Sequence, residues 1–123
     1  MSHKRPRGQS GPQLVIDDRR TLGNRELRHR GPVTYARTYD EAKWRLFEAM
    51  AYRRPPWDVV YVDHDLGDPR PGRTGLDLLR WLHEYGRPDR LPRVVRIITL
   101  NAQAMLPMAR VADQIMERRN PEG

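Results

Sequence analysis

The stretch VVYVDHDLGD at positions 59–68 places three polar groups directly after an apolar run. Asp63 and Asp65 offer carboxylates, which bind hard cations, and His64 between them titrates near neutral pH and is able to transfer protons. A second interpretation is also open, in which His64 orients Asp63 or is an ordinary loop residue. The pattern therefore predicts a chemical site at the end of a buried segment.

Polar residues also follow the other apolar segments of the chain. Several carboxylates gathered in one place repel one another, and a divalent cation with oxygen ligands such as Mg²⁺ is the simplest counter-charge. We expect Thr99 to donate to a phosphoryl oxygen, and Arg20 or Arg37 to supply positive charge. The alternative is that the aspartates only cap helices and turns, as they often do. The candidates gathered in this way are Asp17, Asp18, Asp63, His64, Asp65, Thr99 and Asn101.

The elements that must position these residues alternate between buried strands and amphipathic helices. Helix starts are predicted at Thr38, which opens a capping-box pattern, and at Thr74, and a last helix is predicted over 106–118. Alternation of this kind favours an α/β three-layer sandwich with a mostly parallel four-stranded sheet. In such a sheet, sites form at the carboxyl ends of the strands. The predicted strands cover residues 13–17, 33–37, 58–62 and 94–98.

The composition is that of a small, basic, cysteine-free domain. The chain has 123 residues, a formal net charge of +7 and only two lysines among 23 basic residues. We expect one domain over 13–118, a disordered basic tail over 1–12 and a flexible C-terminus over 119–123. The missing cysteines suit a reducing cytoplasm, and no apolar run is long enough to span a membrane. An arginine-rich surface is compatible with nucleic acid or an acidic protein partner, although ordinary solvation explains it equally well.

Several strings in the chain resemble a known family. An acidic pair after the first strand, an aspartate after the third and a threonine after the fourth are similar to the receiver domains of two-component response regulators. DHDLG, TGLDLLRWL, an early DD-x-R, RTYDEA, and Asn101 followed by Met108 resemble the narrower group of cyclic-phosphate-processing receiver domains. These motifs span residues 14–112.

The resemblance implies a fold, a cofactor and a function. The fold would be a flavodoxin-like receiver, and the function the handling of cyclic phosphate ends on RNA or nucleotides. By the same resemblance, Asp17 and Asp18 would hold Mg²⁺ or Mn²⁺, Asp63 would be the phosphoacceptor position, and Thr99 the phosphate-sensing hydroxyl.

The chain departs from these relatives in two places. A receiver continues to a fifth strand that ends in a lysine, and this chain ends after its last helix, so the predicted architecture is a truncated receiver. In addition, Ile98 stands where the narrower family often has histidine, so by this resemblance catalysis would rest on His64 or on a metal-bound water, or would have been lost.

Three functions remain open at this stage. The first is a phosphoesterase for cyclic phosphates in which Asp17, Asp18 and Asp63 bind the metal and Asp65 or His64 activates water or protonates the leaving oxygen. Arg20 and Arg37 would then bind the phosphate. The second is a signalling switch phosphorylated at Asp63, and the third is a catalytically silent module that docks nucleic acid or a protein assembly through its basic surface.

Overall fold

A computed structural model describes residues 11–27 and 31–121 of the chain. Strands and helices alternate after the second strand, in the predicted order. A short 3₁₀ turn at Pro88–Arg90 precedes the last strand. The elements are β1 (Gln13–Ile16), β2 (Val33–Ala36), α1 (Tyr39–Met50), β3 (Val59–Val62), α2 (Gly75–Tyr85), β4 (Val94–Ile97) and α3 (Ala102–Arg119).

The strands form one sheet in the order β2-β1-β3-β4, and every pair is parallel. The two central strands are buried along their whole length, as expected for strands that are apolar on both faces. Ile16 pairs with Val62, so the residues that follow β1 and β3 leave the sheet at the same level. The predicted α/β receiver-type architecture with a parallel four-stranded sheet is confirmed.

All three helices pack on one face of the sheet. Their buried residues form one cluster with Leu14, Ile16, Val60 and Val62. The alternate residues of the central strands point to the other face, where the loop residue Leu22 covers them. Within residues 11–27 and 31–121, the third layer of the sandwich is therefore a loop between β1 and β2 and not a helix.

Local capping signals fix where α1 and α2 begin. The side chain of Thr38 accepts a hydrogen bond from the amide of Glu41, at 3.0 Å, and the Glu41 carboxylate returns to the amide of Arg37. Thr74 and Asp77 form a complete capping box at the start of α2. Both predicted helix starts are confirmed.

The third helix begins earlier than predicted, at Ala102 rather than Leu106. The side-chain oxygen of Asn101 accepts hydrogen bonds from the amides of Gln103 and Ala104, at 3.1 and 3.2 Å, and so caps the helix. Pro107, which we expected in the first turn, lies inside the helix.

The ends of the predicted domain are only partly described. Of the predicted tail, residues 1–10 lie outside the described residues, whereas the amide of Gly11 and the carbonyl of Pro12 both hydrogen-bond Asp58. Residues 122–123 of the predicted flexible end also lie outside them, and Arg119 is the last residue of α3. Among the described helices, none combines the length and the apolarity that crossing a bilayer requires.

Candidate metal and phosphate site

Three carboxylates meet at the carboxyl ends of β1 and β3. Asp17, Asp18 and Asp63 each present an oxygen, and these oxygens lie within 4.8 Å of one another. The parallel pairing of the two central strands produces this arrangement, because Asp17 follows Ile16 and Asp63 follows Val62 in register. The three residues that the sequence predicted as metal ligands are therefore brought together.

The folded protein disfavours the ionised form of Asp63. Burial raises its pKa above the usual value of 3.8, and the neighbouring charges of Asp17 and Asp65 raise it further. Hydrogen bonds from the Thr99 hydroxyl and from the His64 amide lower the pKa and offset part of this effect. The ionised carboxylate is thus disfavoured at this position, and a nearby cation would relieve it.

Asp17 is almost fully buried and also organises the backbone around it. Its Oδ1 atom accepts hydrogen bonds from the amides of Arg19 and Arg20, at 2.9 and 2.8 Å, which turns the chain sharply after β1. The Arg20 side chain then reaches across the sheet end, with its Nε atom 3.4 Å from Asp17 and its Nη2 atom 2.6 Å from the carbonyl of Ile98. Arg20 therefore joins the ends of β1 and β4 and places its positive charge beside the acidic cluster.

Asp18 lies against the loop that follows β3. Gly67 has a left-handed φ of 72°, and a Cβ atom at this position would come within 2.8 Å of the Asp18 carboxylate. Glycine is required here for both reasons, since it alone adopts this φ without cost and leaves room for the carboxylate. Gly67, which ends the string DHDLG, thus keeps one side of the site open.

His64 and Asp65 form a second pair beside the carboxylate cluster. The Nδ1 atom of His64 lies 3.1 Å from Asp65 Oδ1 and 3.4 Å from the Asn101 side-chain amide. A proton on Nδ1 would be donated to Asp65 and would leave Nε2 as the acceptor, whereas a bare Nδ1 would accept from the Asn101 amide, so the tautomer of His64 depends on which partner it bonds. The His64 side chain is 19% exposed and that of Asp65 is 71% exposed.

Thr99 and Asn101 complete the floor of the site after β4. Thr99 is buried and its hydroxyl oxygen accepts a hydrogen bond from the Asn101 amide, at 3.0 Å. The same hydroxyl is near enough to the Asp63 carboxylate to lower its pKa. Thr99 therefore influences the protonation of Asp63. The side-chain oxygen of Asn101 caps α3, and its side-chain nitrogen lies beside His64.

Arg37 occupies a different position from the other candidates. Its Nη1 atom donates to the backbone carbonyls of Asp17 and Arg20, at 3.2 and 2.7 Å, and its guanidinium lies over the ring of Tyr35. These contacts tie the turn after β1 to β2. The structure uses Arg37 mainly to hold the backbone around Asp17.

An open cleft of about 690 Å³ contains the acidic cluster. Sequence reasoning missed four of the residues along it. Arg19 is a freely exposed cation whose Nε atom is 3.6 Å from Asp18, and its signal was its place directly after the acidic pair. Gly67 and Leu100 gave no chemical signal, because they contribute backbone or apolar surface, and Ile98 was noted only for the histidine that it replaces. The missed residues are Arg19, Gly67, Ile98 and Leu100.

The donor set fits a hard divalent cation. All three grouped ligands are carboxylates, which are the oxygen donors that Mg²⁺ and Mn²⁺ prefer. The pKa of Asp63 is raised mainly by burial and further by the charges of Asp17 and Asp65, and a bound cation would lower it. The residues present therefore suit such an ion.

Comparison with known proteins agrees with this geometry. A family model described as the cyclic-phosphate processing receiver domain matches residues 13–114. No curated protein and no solved structure matches the chain. The matched range runs from the first residue of β1 into α3 and includes every residue of the site.

Proposed function

Because the chain belongs to the family of cyclic-phosphate processing receiver domains, we propose that it hydrolyses cyclic phosphate ends of RNA or nucleotides. Asp17, Asp18 and Asp63 would hold the divalent cation, Mg²⁺ or Mn²⁺, that this activity uses. The bound cation supplies Lewis acidity toward a phosphoryl oxygen.

The observation that carries this proposal is the position of the acidic cluster. The three carboxylates lie within 4.8 Å of one another in an open cleft, and Asp63 is disfavoured in its ionised form there. A site built only to cap turns has no need for a third carboxylate that raises the electrostatic cost. A bound cation would remove that electrostatic cost by balancing the carboxylates, and a phosphate would balance the positive charge that the cation leaves.

The reaction requires two proton movements. A water oxygen forms a bond to phosphorus and gives up a proton, one of the two ester P–O bonds breaks, and the released sugar oxygen takes up a proton. We assign these protons to His64, because its Nε2 is free to accept one in the tautomer that donates from Nδ1 to Asp65. Asp65 is then a positioning residue that sets the tautomer of His64.

Two arginines and one hydroxyl would bind the phosphate. Arg19 lines the cleft with a largely exposed side chain, so it is able to adjust its conformation to bind a phosphate oxygen. Arg20 is fixed between Asp17 and the Ile98 carbonyl and contributes charge from a set position. Thr99 donates either to Asp63 or to a phosphoryl oxygen, which couples phosphate binding to the metal ligand.

The direct test is turnover of a defined substrate. The protein is incubated with Mg²⁺ or Mn²⁺ and an oligoribonucleotide that ends in a 2′,3′-cyclic phosphate, and the phosphomonoester product is followed by ³¹P NMR. We expect product with the native chain and none with Asp63→Asn. Asp113→Asn is the matched control, because Asp113 is an exposed carboxylate on α3 outside the cleft.

The absence of product with the native chain, or equal turnover by Asp63→Asn, would refute the proposal. A phosphorylated Asp63 is the second candidate, favoured by the Thr99 hydroxyl, which is near enough to the Asp63 carboxylate to lower its pKa. Acetyl phosphate tests it separately. A mass increase of one phosphoryl group that Asp63→Asn abolishes, together with no turnover of the cyclic phosphate, would favour the switch.

A further inference from the structure

The outer face of α1 carries an uncovered aromatic pair. The rings of Trp44 and Phe47 stack with centroids 5.7 Å apart and an interplanar angle of 29°. Trp44 is 49% exposed and Phe47 is 41% exposed. Large aromatic side chains normally contribute to stability by being buried, so a half-exposed stack is a candidate surface for a partner.

A cation accompanies this pair. The guanidinium of Arg53 lies 5.7 Å from the centroid of Trp44 and 6.0 Å from that of Phe47. An arginine beside an aromatic plane favours a partner that combines a flat π system with negative charge.

The turn after α1 extends the same arrangement. Tyr52 has a left-handed φ of 61° and is 54% exposed. Arg87 and Arg90 lie over its ring, at 5.2 and 4.2 Å from the centroid. Arg90 is fixed by hydrogen bonds to the Ala49 and Arg54 carbonyls, and the Tyr52 hydroxyl donates to Asp89, so the ring and Arg90 hold a set position.

We propose that Trp44, Phe47, Tyr52 and Arg53, here called the α1 aromatic surface, bind the bases and phosphates of single-stranded RNA. Unpaired bases supply the flat faces that stack on aromatic rings, and the phosphates between them supply the negative charge that the arginines match. The net charge of +7 adds long-range attraction for a polyanion. The choice of RNA over DNA rests on the proposed function, since a 2′,3′-cyclic phosphate forms only on a sugar with a 2′-hydroxyl.

The position of the surface relative to the cleft supports this assignment. α1 begins at Tyr39, shortly after β2 reaches the edge of the sheet that carries the site. Trp44 follows five residues later, which is about 8 Å along the helix axis. A strand whose cyclic end lies in the cleft is therefore able to place upstream nucleotides along α1. The substrate class would then be a polynucleotide end and not a free nucleotide.

Binding is measured without turnover. Fluorescence anisotropy follows a labelled single-stranded oligoribonucleotide with an ordinary 3′-hydroxyl end, in buffer with EDTA. We expect the double variant Trp44→Leu with Phe47→Leu to bind it about 5-fold to 100-fold more weakly, because leucine keeps apolar area but removes the stacking face. Inorganic polyphosphate serves as a probe with charge and no bases, and its affinity should be the same for both proteins.

Arg96→Ala is the charge control. Arg96 lies on β4, at the opposite edge of the sheet from β2, so removing it should weaken RNA and polyphosphate binding in parallel. Unchanged RNA affinity in the double leucine variant overturns the proposal and leaves the α1 aromatic surface to a protein partner. An equal loss for polyphosphate also overturns it, because stacking would then play no part. Thermal unfolding of each variant verifies that it is folded.

The outcomes separate this inference from the proposed function. RNA binding that depends on Trp44 and Phe47, in a protein that opens no cyclic phosphate, contradicts only the proposed function. If the protein opens cyclic mononucleotides and its RNA affinity is unchanged by both substitutions, only the proposal for the α1 aromatic surface is contradicted. If both proposals hold, the double variant raises KM for the oligonucleotide and leaves KM for the mononucleotide unchanged.

Discussion

Gly75, the first residue of α2, lies so close to the backbone of Asp63 that a Cβ atom at position 75 would overlap the Asp63 carbonyl oxygen. The Gly75 amide also donates to the His64 carbonyl, at 2.8 Å. The start of α2 is therefore pressed against the end of β3, and this contact fixes where Asp63 and His64 leave the sheet. It gives a physical reason for the glycine in TGLDLLRWL.

Substituting Gly75 by alanine should destabilise the fold and displace the site. The added methyl group meets backbone and not a movable side chain, so we expect a loss of about 1–3 kcal/mol in the free energy of unfolding. Urea unfolding measures this loss. Gly23→Ala is the control, because the nearest atom to its Cβ would be 3.9 Å away, and an equal loss there would contradict the explanation.

Asp63→Asn should stabilise the cation-free protein at neutral pH. The folded protein raises the pKa of Asp63 above 3.8, mainly by burial, so ionising this group opposes folding. The favourable contribution of the protonated form is complete below pH 3.8 and is lost as the pH rises through the folded pKa. The advantage of the variant should therefore be largest at neutral pH and disappear in acid.

Thermal unfolding of both proteins in EDTA across this pH range checks the sign. A variant that is less stable than the native chain at neutral pH, or an advantage that grows in acid, would show that burial and like charge do not dominate at Asp63.

Divalent cations should raise the melting temperature through the acidic cluster. At about 100 times the Kd, binding to the folded state alone adds about 2.7 kcal/mol of stability. We expect Asp17→Asn, Asp18→Asn and Asp63→Asn each to reduce this effect, and Asp113→Asn to preserve it. Differential scanning fluorimetry with MgCl₂ or MnCl₂ against matched NaCl measures it. An equal response in all variants would place the cation elsewhere.

Asn101 should show two separable roles. Asn101→Ala removes the cap of α3 and should cost about 0.5–2 kcal/mol, whereas Asn101→Asp keeps an oxygen that accepts from the Gln103 and Ala104 amides. The aspartate variant therefore tests the amide beside His64 without loss of the cap. Near-native stability with altered pH dependence of turnover is the expected result, and native turnover would restrict Asn101 to capping.

The layout of the sheet was readable from the sequence because its signals are local. Apolar strands that end in polar residues predicted a shared acidic edge, and parallel pairing of β1 with β3 makes that edge compact around Asp17 and Asp63. The helix starts at Thr38 and Thr74 followed from side chains that satisfy free backbone amides.

The parts that were not readable depend on contacts between distant segments. Apolar residues on both faces of β1 show that each face is covered, and they do not show that a loop with Leu22 covers one of them. The start of α3 predicted at Leu106 was wrong, because the cap at Asn101 begins the helix at Ala102. The hydrogen bonds of Arg37 to carbonyls and the closeness of Gly67 to Asp18 arise only when the chain has folded.

The loop that covers the second face of the sheet gives the two halves of the site unequal support. Asp63 follows a central strand and lies against the start of α2, whereas Asp17 and Asp18 lead into residues 19–27, which form neither helix nor strand. Opening of that segment separates two ligands from the third while the helical face stays folded. Backbone amides over 18–27 should therefore exchange with deuterium faster than those of β3. A bound cation should reduce this difference in exchange rate. The rate at which the loop opens would then limit how long the ion stays bound.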